Sequence, residues 1–448
     1  MRSRESSSPA RHPLIAVLFL AAAVVLGGGG TPNPATEILL QLAFVVAALA
    51  WLWVPGVAPR PQSRVFWLVC ALVLVLPVAQ LVPLPSSVWG GLAGQQDRAA
   101  ALALVGRGHA WQPLSHSPSR TLAALLATIP ALFAFFAAAA LDLQGRRWLV
   151  GAIAALAVAT ALLGAVQVSM GGPFLYAENH RTLTGFQANR NATADLLLIG
   201  MAAGAAFACP MLAARAQRTT AAVLAGFVAL LFFATLLTAS RMGIALLPLA
   251  LLGVCAILWP ALAALGRWRW VPLLAALLAL PVVAMVALRG ENTALGTVAD
   301  RFLFADGGRV ELWRDAWFAI QQNWPFGVGI GGAQPALVAA ERLEVLNPTV
   351  PNRVHNDFLE LALEGGLPAL VLLAAIAGIL VYLAWRSWRD RPDERHFSMF
   401  AVIALFVVAA HSFVDYPLRS MALACLVGTG AGLLIGTPRR SAENEPIA

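Results

Sequence analysis

The sequence contains no lysine, and charged side chains make up only 12% of its 448 residues. Hydrophobic residues make up 60%, which is more apolar surface than a soluble domain of this length could bury. Because lysine is absent, the positive side-chain charge behind the net charge of +8 comes from arginine alone. A basic chain can bind nucleic acid, but arginine in short loops between apolar runs is explained by orientation in a membrane. We expect membrane lipid, and no nucleic acid, as a partner.

Cysteine is also scarce. The four cysteines, Cys70, Cys209, Cys255 and Cys425, all fall within apolar segments. We interpret them as small buried hydrophobic residues, which argues against a disulfide framework and against cysteine metal ligands. We expect no cofactor.

Long apolar runs recur along the whole chain, and about 20 such residues are enough to cross a bilayer core. We predict an all-α polytopic membrane protein, with one membrane domain over residues 1–448 and about twelve transmembrane helices. The first of these is interpreted as an uncleaved span, because no clear cleavage site follows it. The predicted spans lie near residues 13–29, 36–58, 65–86, 120–141, 148–170, 192–213, 220–239, 242–260, 270–288, 367–386, 397–414 and 419–436.

The distribution of arginine predicts the orientation of these spans. Short, arginine-rich connections alternate along the chain with other connections, and both termini belong to the arginine-rich set. The positive-inside rule places this set, including Arg146 and Arg147, in the cytoplasm. The other side of the membrane then receives three long connections, at 87–119, 171–191 and 289–366. Their charges are not needed for orientation and require another explanation.

The connection at 289–366 is predicted to form a loop subdomain with short helices. One helical pattern starts at Arg309, and apolar residues at positions 310, 313, 317 and 320 have the spacing of a helix lying on a surface. The glycine-rich run Pro325–Gly332 follows, and it favours backbone with positive φ angles.

A second helical pattern follows Asn352, which can cap it, and ends at Gly365–Gly366. In this pattern Glu364 lies about nine residues after His355 and hence roughly on the opposite face. We therefore expect these two side chains to have different roles.

Other polar residues collect on the same predicted side of the membrane. They are Arg181, Asn189, Arg190, Asn191 and Asp195 around the start of span six, Arg241 in the hairpin between spans seven and eight, and His411, Asp415, Tyr416 and Arg419 between spans eleven and twelve. Several arginines, one well-placed histidine and few acids suit a polyanionic ligand such as a lipid pyrophosphate. Histidine could deprotonate an attacking hydroxyl while arginines stabilise a departing pyrophosphate.

Over roughly residues 75–435 the sequence resembles the O-antigen ligase and polymerase family of bacterial inner-membrane glycosyltransferases. The motifs occur in the family's order. They are Gln80–Pro85 with Trp89, Pro113–Ser115, Gly185–Phe186 with Asn189–Asn191, Ser240–Arg241, Gly308–Arg309 with Trp313, Pro325–Gly329, His355–Asp357 through Glu364–Leu367, and Asp415–Pro417. Met242 stands where a glycine is commoner in the family.

The resemblance implies a donor glycan on undecaprenyl pyrophosphate and an acceptor hydroxyl on lipid A core or on a growing glycan. It implies that Arg241 and Arg309 hold the pyrophosphate, that His355 activates the acceptor, and that the active site is periplasmic. The further candidate substrate-binding residues are Arg181, Asn189, Arg190, Asn191, Asn356, Asp357, Glu364, Asp415 and Arg419.

Several functions remain open from the sequence. We favour an O-antigen ligase-like activity, with a polysaccharide polymerase as the alternative. The motifs do not distinguish either activity from that of family relatives that glycosylate proteins. A secondary transporter is the alternative from another class, but it predicts internal repeats and ionisable residues near the middle of the bilayer. We find no clear repeat and almost no acids inside the spans. A structural role in an assembly complex is a further alternative.

Acidic residues are too sparse to predict a metal site. The first outer connection, near 30–34, has no acid, and the second has only Asp97. In the large loop, Glu311 and Asp315 are flanked by arginines. A hard cation needs several converging carboxylates, so we expect a metal-independent reaction. The alternative is that acids distant in sequence meet in space.

The predicted orientation can be tested by cysteine labelling. In a background without the native cysteines, single cysteines at Gln322 and Asp390 should react with a membrane-impermeant reagent from opposite sides, because Gln322 lies in the outer loop and Asp390 in an arginine-rich connection. Labelling of both positions from the same side would refute the orientation.

Overall fold

The described part of the chain is almost entirely helical. In the computed structural model, the structure describes residues 11–29, 34–55, 58–170, 175, 182–212, 217–263, 309–345 and 350–437. The predicted span at 270–288 and the candidate residue Arg181 lie outside this set. The described helices are α1 (Arg11–Leu26), α2 (Pro34–Trp53), α3 (Arg64–Leu81), α4 (Ser86–Trp89), α5 (Gln96–Leu104), α6 (Pro118–Ala140), α7 (Leu143–Met170), α8 (Arg190–Leu212), α9 (Gln217–Leu237), α10 (Arg241–Ile257), α11 (Trp259–Ala263), α12 (Arg309–Asn323), α13 (Ala333–Ala340), α14 (Asp357–Asp390), α15 (Arg395–His411) and α16 (Met421–Leu434).

Eight of these helices are long and apolar enough to cross a membrane, and three shorter apolar helices, α1, α10 and α16, accompany them. Together they coincide with the predicted spans other than the one at 270–288. The all-α polytopic membrane fold is therefore confirmed. The strands in the described residues are two segments of two residues each. They are Pro83–Leu84 and Gln112–Pro113, which pair antiparallel in the connection between α3 and α6.

Helix α8 lies at the centre of the bundle, where it packs against α7, α9, α10 and α15. Small residues allow this close packing: a Cβ on Gly200 would lie 2.2 Å from the Cβ of Ala157, and one on Gly204 would lie 2.3 Å from the Phe227 ring. Membrane helices associate through such close contacts because lipid gives them no hydrophobic driving force. The first turn of α8 is thereby held rigidly at one end of the bundle.

One arginine attributed to orientation has a structural role instead. Arg146 is fully buried, and it donates to Glu394 at 3.0 Å and to the backbone carbonyls of Leu433 and Ile435. The prediction that Arg146 is simply a loop charge is wrong in this respect. Its guanidinium joins the start of α7 to the end of α16, and the carbonyls it binds would otherwise lack partners at the helix end.

At the opposite end of the bundle, which we call the histidine end because it carries His355, α12 and α13 cover the start of α14. The predicted helix at Arg309 is present, but its buried face differs from the predicted one. Ala316, Ala319 and Ile320 enter a small core, whereas Val310 is 45% and Trp317 is 55% exposed. The spacing identified the helix correctly, but it could not tell which apolar residues face the protein.

The start of α14 also differs from the prediction. Asn356, not Asn352, caps this helix, and its side-chain oxygen accepts from the backbone N–H groups of Phe358 and Leu359 at 3.0 Å. The predicted end at Gly365–Gly366 is a kink: Gly366 has φ 57° and ψ −148°, and the helix continues beyond it to Asp390. The short polar segment of α14 before Gly366 and the long apolar segment after it therefore meet at this glycine.

The glycine-rich run threads past this kink. Backbone N–H groups of Val328 and Gly329 donate to the carbonyls of Leu363 and Glu364 at 3.0 and 2.8 Å, and Leu367 donates back to Pro325 at 2.9 Å. The expected positive φ angles occur, at Gly327, Gly329 and Gly331. These contacts satisfy backbone groups that the kink releases from the helix.

Gly366 should be essential for this arrangement. A Cβ there would lie 1.9 Å from the Pro325 carbonyl oxygen, and a side chain would also be strained at positive φ. We expect Gly366→Ala to destabilise the protein by about 2–5 kcal/mol, the sum expected for overpacking and a left-handed backbone. Thermal unfolding in detergent measures this effect. Gly378→Ala is the matched control, since a Cβ at that position of the same helix would meet nothing within 4 Å. Equal melting temperatures for the two variants would contradict the prediction.

Candidate functional site

His355 lies just before α14 and forms a dyad with Asp415. Its Nδ1 is 3.0 Å from Asp415 Oδ1, and its ring meets the edge of Tyr416 with centroids 4.8 Å apart. The His355 side chain is 29% exposed, whereas that of Asp415 is 1% exposed. His355 also has φ 54°, a left-handed backbone that a residue other than glycine rarely adopts and that is often found at functional sites.

The Asp415 carboxylate is held from three sides. Its Oδ2 accepts from Asn189 Nδ2 at 3.1 Å and from Asn191 Nδ2. Burial alone would raise the pKa of Asp415, but the hydrogen bond and charge of His355 and the hydrogen bond from Asn191 lower it to about 2. An ionised Asp415 makes Nδ1 of His355 the hydrogen-bond donor, which leaves Nε2 as the basic nitrogen.

The asparagine pair also fixes the hairpin that carries Arg241. Asn191 Oδ1 accepts from Ser240 Oγ at 2.7 Å, and Ser240 Oγ in turn accepts from the backbone N–H of Gly243 as the cap of α10. Arg241 is the first residue of α10. A continuous hydrogen-bonded path therefore connects this arginine's backbone position to the His355–Asp415 dyad.

Asn356 and Asp357 tie the dyad's two chain segments together. Asn356 Nδ2 donates to the Phe413 carbonyl at 2.8 Å. Asp357 Oδ2 accepts from Ser412 Oγ at 2.8 Å and from the backbone N–H of Leu418 at 3.2 Å. These bonds flank Asp415 along the chain, so they fix the turn that presents its carboxylate.

Arg419 lies among three carboxylates on one face of α14. It contacts Glu364 at 2.7 Å, Glu360 at 3.3 Å and Asp357 at 3.8 Å. Burial alone would lower the pKa of Arg419, but these three acids raise it above its usual range. Arg353 adds a contact to Glu360 at 3.0 Å. Glu364 thus pairs with Arg419, whereas His355 pairs with Asp415; the expected difference in their roles stays a prediction.

The remaining predicted arginines begin helices around the dyad. Arg309 is the first residue of α12, and it lies close enough to the His411 imidazole for its charge to act there. Arg190 is the first residue of α8 and lies between the two asparagines. Arg181 lies outside the described residues, so its role remains a prediction.

Sequence reasoning missed several polar partners at this end. Glu360 belongs to an acidic face with Asp357 and Glu364, and their spacing of three and four residues was the available signal. Gln80 was noted only within a motif. Its side chain is buried, donates to the Glu364 carbonyl at 3.0 Å and accepts from the Ile330 N–H at 2.9 Å. A buried glutamine in an apolar helix was a usable signal as well.

Asp195 and His411 were each noted in the sequence, but not as partners. His411 Nδ1 lies 2.7 Å from Asp195 Oδ1, and both side chains are buried. The two residues are separated by 216 positions, and no local pattern predicts a pair at that distance.

Taken together, these features define a polytopic membrane protein with a buried-acid–histidine dyad and flanking arginines at one end of its bundle. Residues 226–374 match the family model described as O-antigen ligase. This match confirms, over residues 226–374, the resemblance to the O-antigen ligase family seen in the motifs. The matched segment contains Arg241, Arg309 and His355, whereas Asp415 and the asparagine pair lie outside it. No curated protein matches the chain.

The family match supports a glycosyltransferase-like enzyme of the ligase or polymerase type that acts in polysaccharide assembly. It implies a lipid-linked glycan and an acceptor as partners in general, and with the apolar helices it indicates a multi-pass bacterial membrane protein.

Proposed function

We propose that this protein transfers a glycan from undecaprenyl pyrophosphate to a hydroxyl acceptor at the periplasmic face of the bacterial inner membrane, in the manner of an O-antigen ligase. Both termini are then cytoplasmic, and the histidine end is periplasmic. The acceptor is lipid A core in this reading, and a polymerase would use a growing glycan instead. The His355–Asp415 dyad is the observation that carries the proposal.

In the proposed reaction, Nε2 of His355 takes the proton of the acceptor hydroxyl as its oxygen attacks the anomeric carbon of the donor sugar. The bond from that carbon to the pyrophosphate oxygen breaks, and undecaprenyl pyrophosphate departs with the bonding electrons. Asp415 keeps the imidazole in the required tautomer and stabilises the imidazolium that forms. This is the established role of a carboxylate behind a catalytic histidine.

Arg241 and Arg309 are proposed to bind the departing pyrophosphate. Guanidinium groups match phosphate oxygens in a bidentate geometry and remain charged. The two arginines are the first residues of separate helices at the histidine end. Arg241 follows Ser240, which bonds Asn191, and the charge of Arg309 acts on His411. Asn189, Arg190, Asn191, Asn356, Asp357, Glu364, Asp415 and Arg419 remain proposed site residues, and the contacts above support positioning roles for most of them.

The reaction is proposed to need no divalent metal. Four acids in the described part of the large loop are engaged by arginines: Glu311 and Asp315 contact Arg342, and Glu360 and Glu364 contact Arg419. A carboxylate in a guanidinium ion pair is a poor ligand for a hard cation, which needs several free oxygens. Arginine can supply the electrostatic stabilisation of the leaving group.

The purified protein should release undecaprenyl pyrophosphate from a glycan-loaded donor only when an acceptor is present. His355→Ala should lower turnover by about 10²–10⁴-fold, the range for a general base, with little change in donor affinity. His109→Ala, at an exposed histidine of the outer connection, is the control. Loss of donor binding in step with turnover would favour a binding role for His355.

Movement of intact donor across the membrane, without release, would favour a transporter. Activity with lipid A core or with glycan acceptors separates ligase from polymerase.

Lysine should replace either Arg241 or Arg309 poorly, since it retains the charge but not the bidentate geometry. Loss of such a contact is expected to remove about 2–4 kcal/mol of transition-state stabilisation. The measurement is turnover of Arg241→Lys and Arg309→Lys at normal protein levels. Arg120→Lys, at an exposed arginine that donates to Gln334, should behave as wild type. Wild-type turnover in both test variants would reject the phosphate clamp.

Turnover should be unchanged in excess EDTA. If activity is lost and returns on addition of Mg²⁺ or Mn²⁺, the arginine-only mechanism is wrong. The acids of the large loop would then become the leading candidates for a cation site.

A further inference from the structure

Helix α8 contacts the segment that carries Asp415 at two points, one helical turn apart. Asn191 donates to Asp415, and four residues later Asp195 pairs with His411, which itself lies four residues before Asp415. The matched spacing produces two parallel side-chain bridges. The first bridge belongs to the dyad already described. The second, Asp195–His411, has no place in the proposed chemistry.

The second bridge is unusual in its composition. Asp195 is 0% and His411 is 1% exposed at the side chain, and within the described part of the chain Asp195 Oδ2 and His411 Nε2 have no hydrogen-bond partner. Burying ionisable groups that are incompletely paired is unfavourable, and apolar residues of similar volume are often equally stable at such positions. Stability alone therefore does not account for this choice of residues.

The bridge is coupled to Asp415 through the backbone. The carbonyl oxygen of His411 accepts from the backbone N–H groups of Val414 and Asp415, both at 3.0 Å. A displacement of His411 would thus shift the Asp415 carboxylate relative to His355. The charges of Asp415 and Arg309 also both act on the His411 imidazole. The pair is therefore within electrostatic reach of the dyad's acid and of one of the two proposed pyrophosphate-binding residues.

We infer that Asp195 and His411 are positioning residues for glycan transfer. They fix the end of α15 against α8 and thereby set the orientation of Asp415, which in turn sets the tautomer and orientation of the His355 ring. They touch neither donor nor acceptor. This inference rests on the proposed function, and it assigns a role to a second histidine–aspartate pair whose members neither bind nor react with substrate.

The central test replaces both partners with leucine, Asp195→Leu/His411→Leu. Removing both partners avoids a lone buried charge, so the variant should fold with a melting temperature close to that of wild type. We expect turnover to fall at least tenfold while the dissociation constant for the lipid-linked donor changes by less than threefold. His396→Leu, at a half-buried histidine near the other end of α15, is the matched control and should keep wild-type turnover. If the double variant does not accumulate, Asp195→Ala is measured against the same expectations.

A conservative variant tests whether the pair needs the negative charge of Asp195 or only its hydrogen bond to His411. Asp195→Asn keeps an oxygen that can accept from His411 Nδ1, so turnover should stay within threefold of wild type. A merely structural pair would show losses of turnover that follow losses of melting temperature.

Combining the leucine pair with Asp415→Asn should lower turnover no further than Asp415→Asn alone, because the pair acts through Asp415. Additive losses would overturn the inference.

One readout does not depend on catalysis. The rate at which diethylpyrocarbonate modifies His355, followed by mass spectrometry at pH 8, reports the nucleophilicity of Nε2. We expect the leucine pair to slow this reaction at least threefold, as Asp415→Asn should, while exposed His109 reacts at the wild-type rate. An unchanged His355 rate, or wild-type turnover in the double variant, would overturn the inference. If the wild-type protein transfers no glycan, the proposed function fails, and the His355 rate still decides whether the pair positions the dyad.

Discussion

The negative charge of Asp415 is the constraint on which the rest of the histidine end depends. A carboxylate that is 1% exposed must be hydrogen-bonded, because an unpaired buried charge is strongly destabilising. Its donors come from His355 before α14 and from Asn189 and Asn191 at the start of α8. Three distant segments are therefore brought together by a single group. The contacts that satisfy this buried charge also orient His355, the proposed general base.

Within the described residues, the bundle concentrates buried charge at its two ends. At one end, Arg146 and Glu394 join α7, α15 and α16. At the other, Arg419 is surrounded by the acids of α14. Both networks pair each charge with oppositely charged groups or backbone dipoles, as buried ions require. The result is a network of ion pairs and hydrogen bonds at each end of the bundle, and at the histidine end this network surrounds the dyad.

Much of this fold was predictable from sequence, because hydrophobic length identifies a span almost independently of its neighbours. The described spans, the hairpin at Ser240–Arg241 and the gathering of polar residues at one end followed from that pattern and from arginine placement. The failures have a common cause. Asn356 caps α14 in place of Asn352 partly because it also reaches Phe413, and Arg146 is buried because α16 ends beside it. Periodicity describes one helix at a time. The cap of α14, the burial of Arg146 and the pairing of Asp195 with His411 depend instead on residues far away in the chain.

The wide separation of the dyad's parts along the chain has a consequence for biosynthesis. Asn191 and Asp415 are 224 residues apart, so α8 enters the membrane long before its partner has been synthesised. Until the turn after α15 arrives, the polar start of α8 has no carboxylate to bind, and His355 has no acid behind it. Because chains are made and inserted from the N-terminus, the proposed catalytic dyad is completed only in one late step of synthesis.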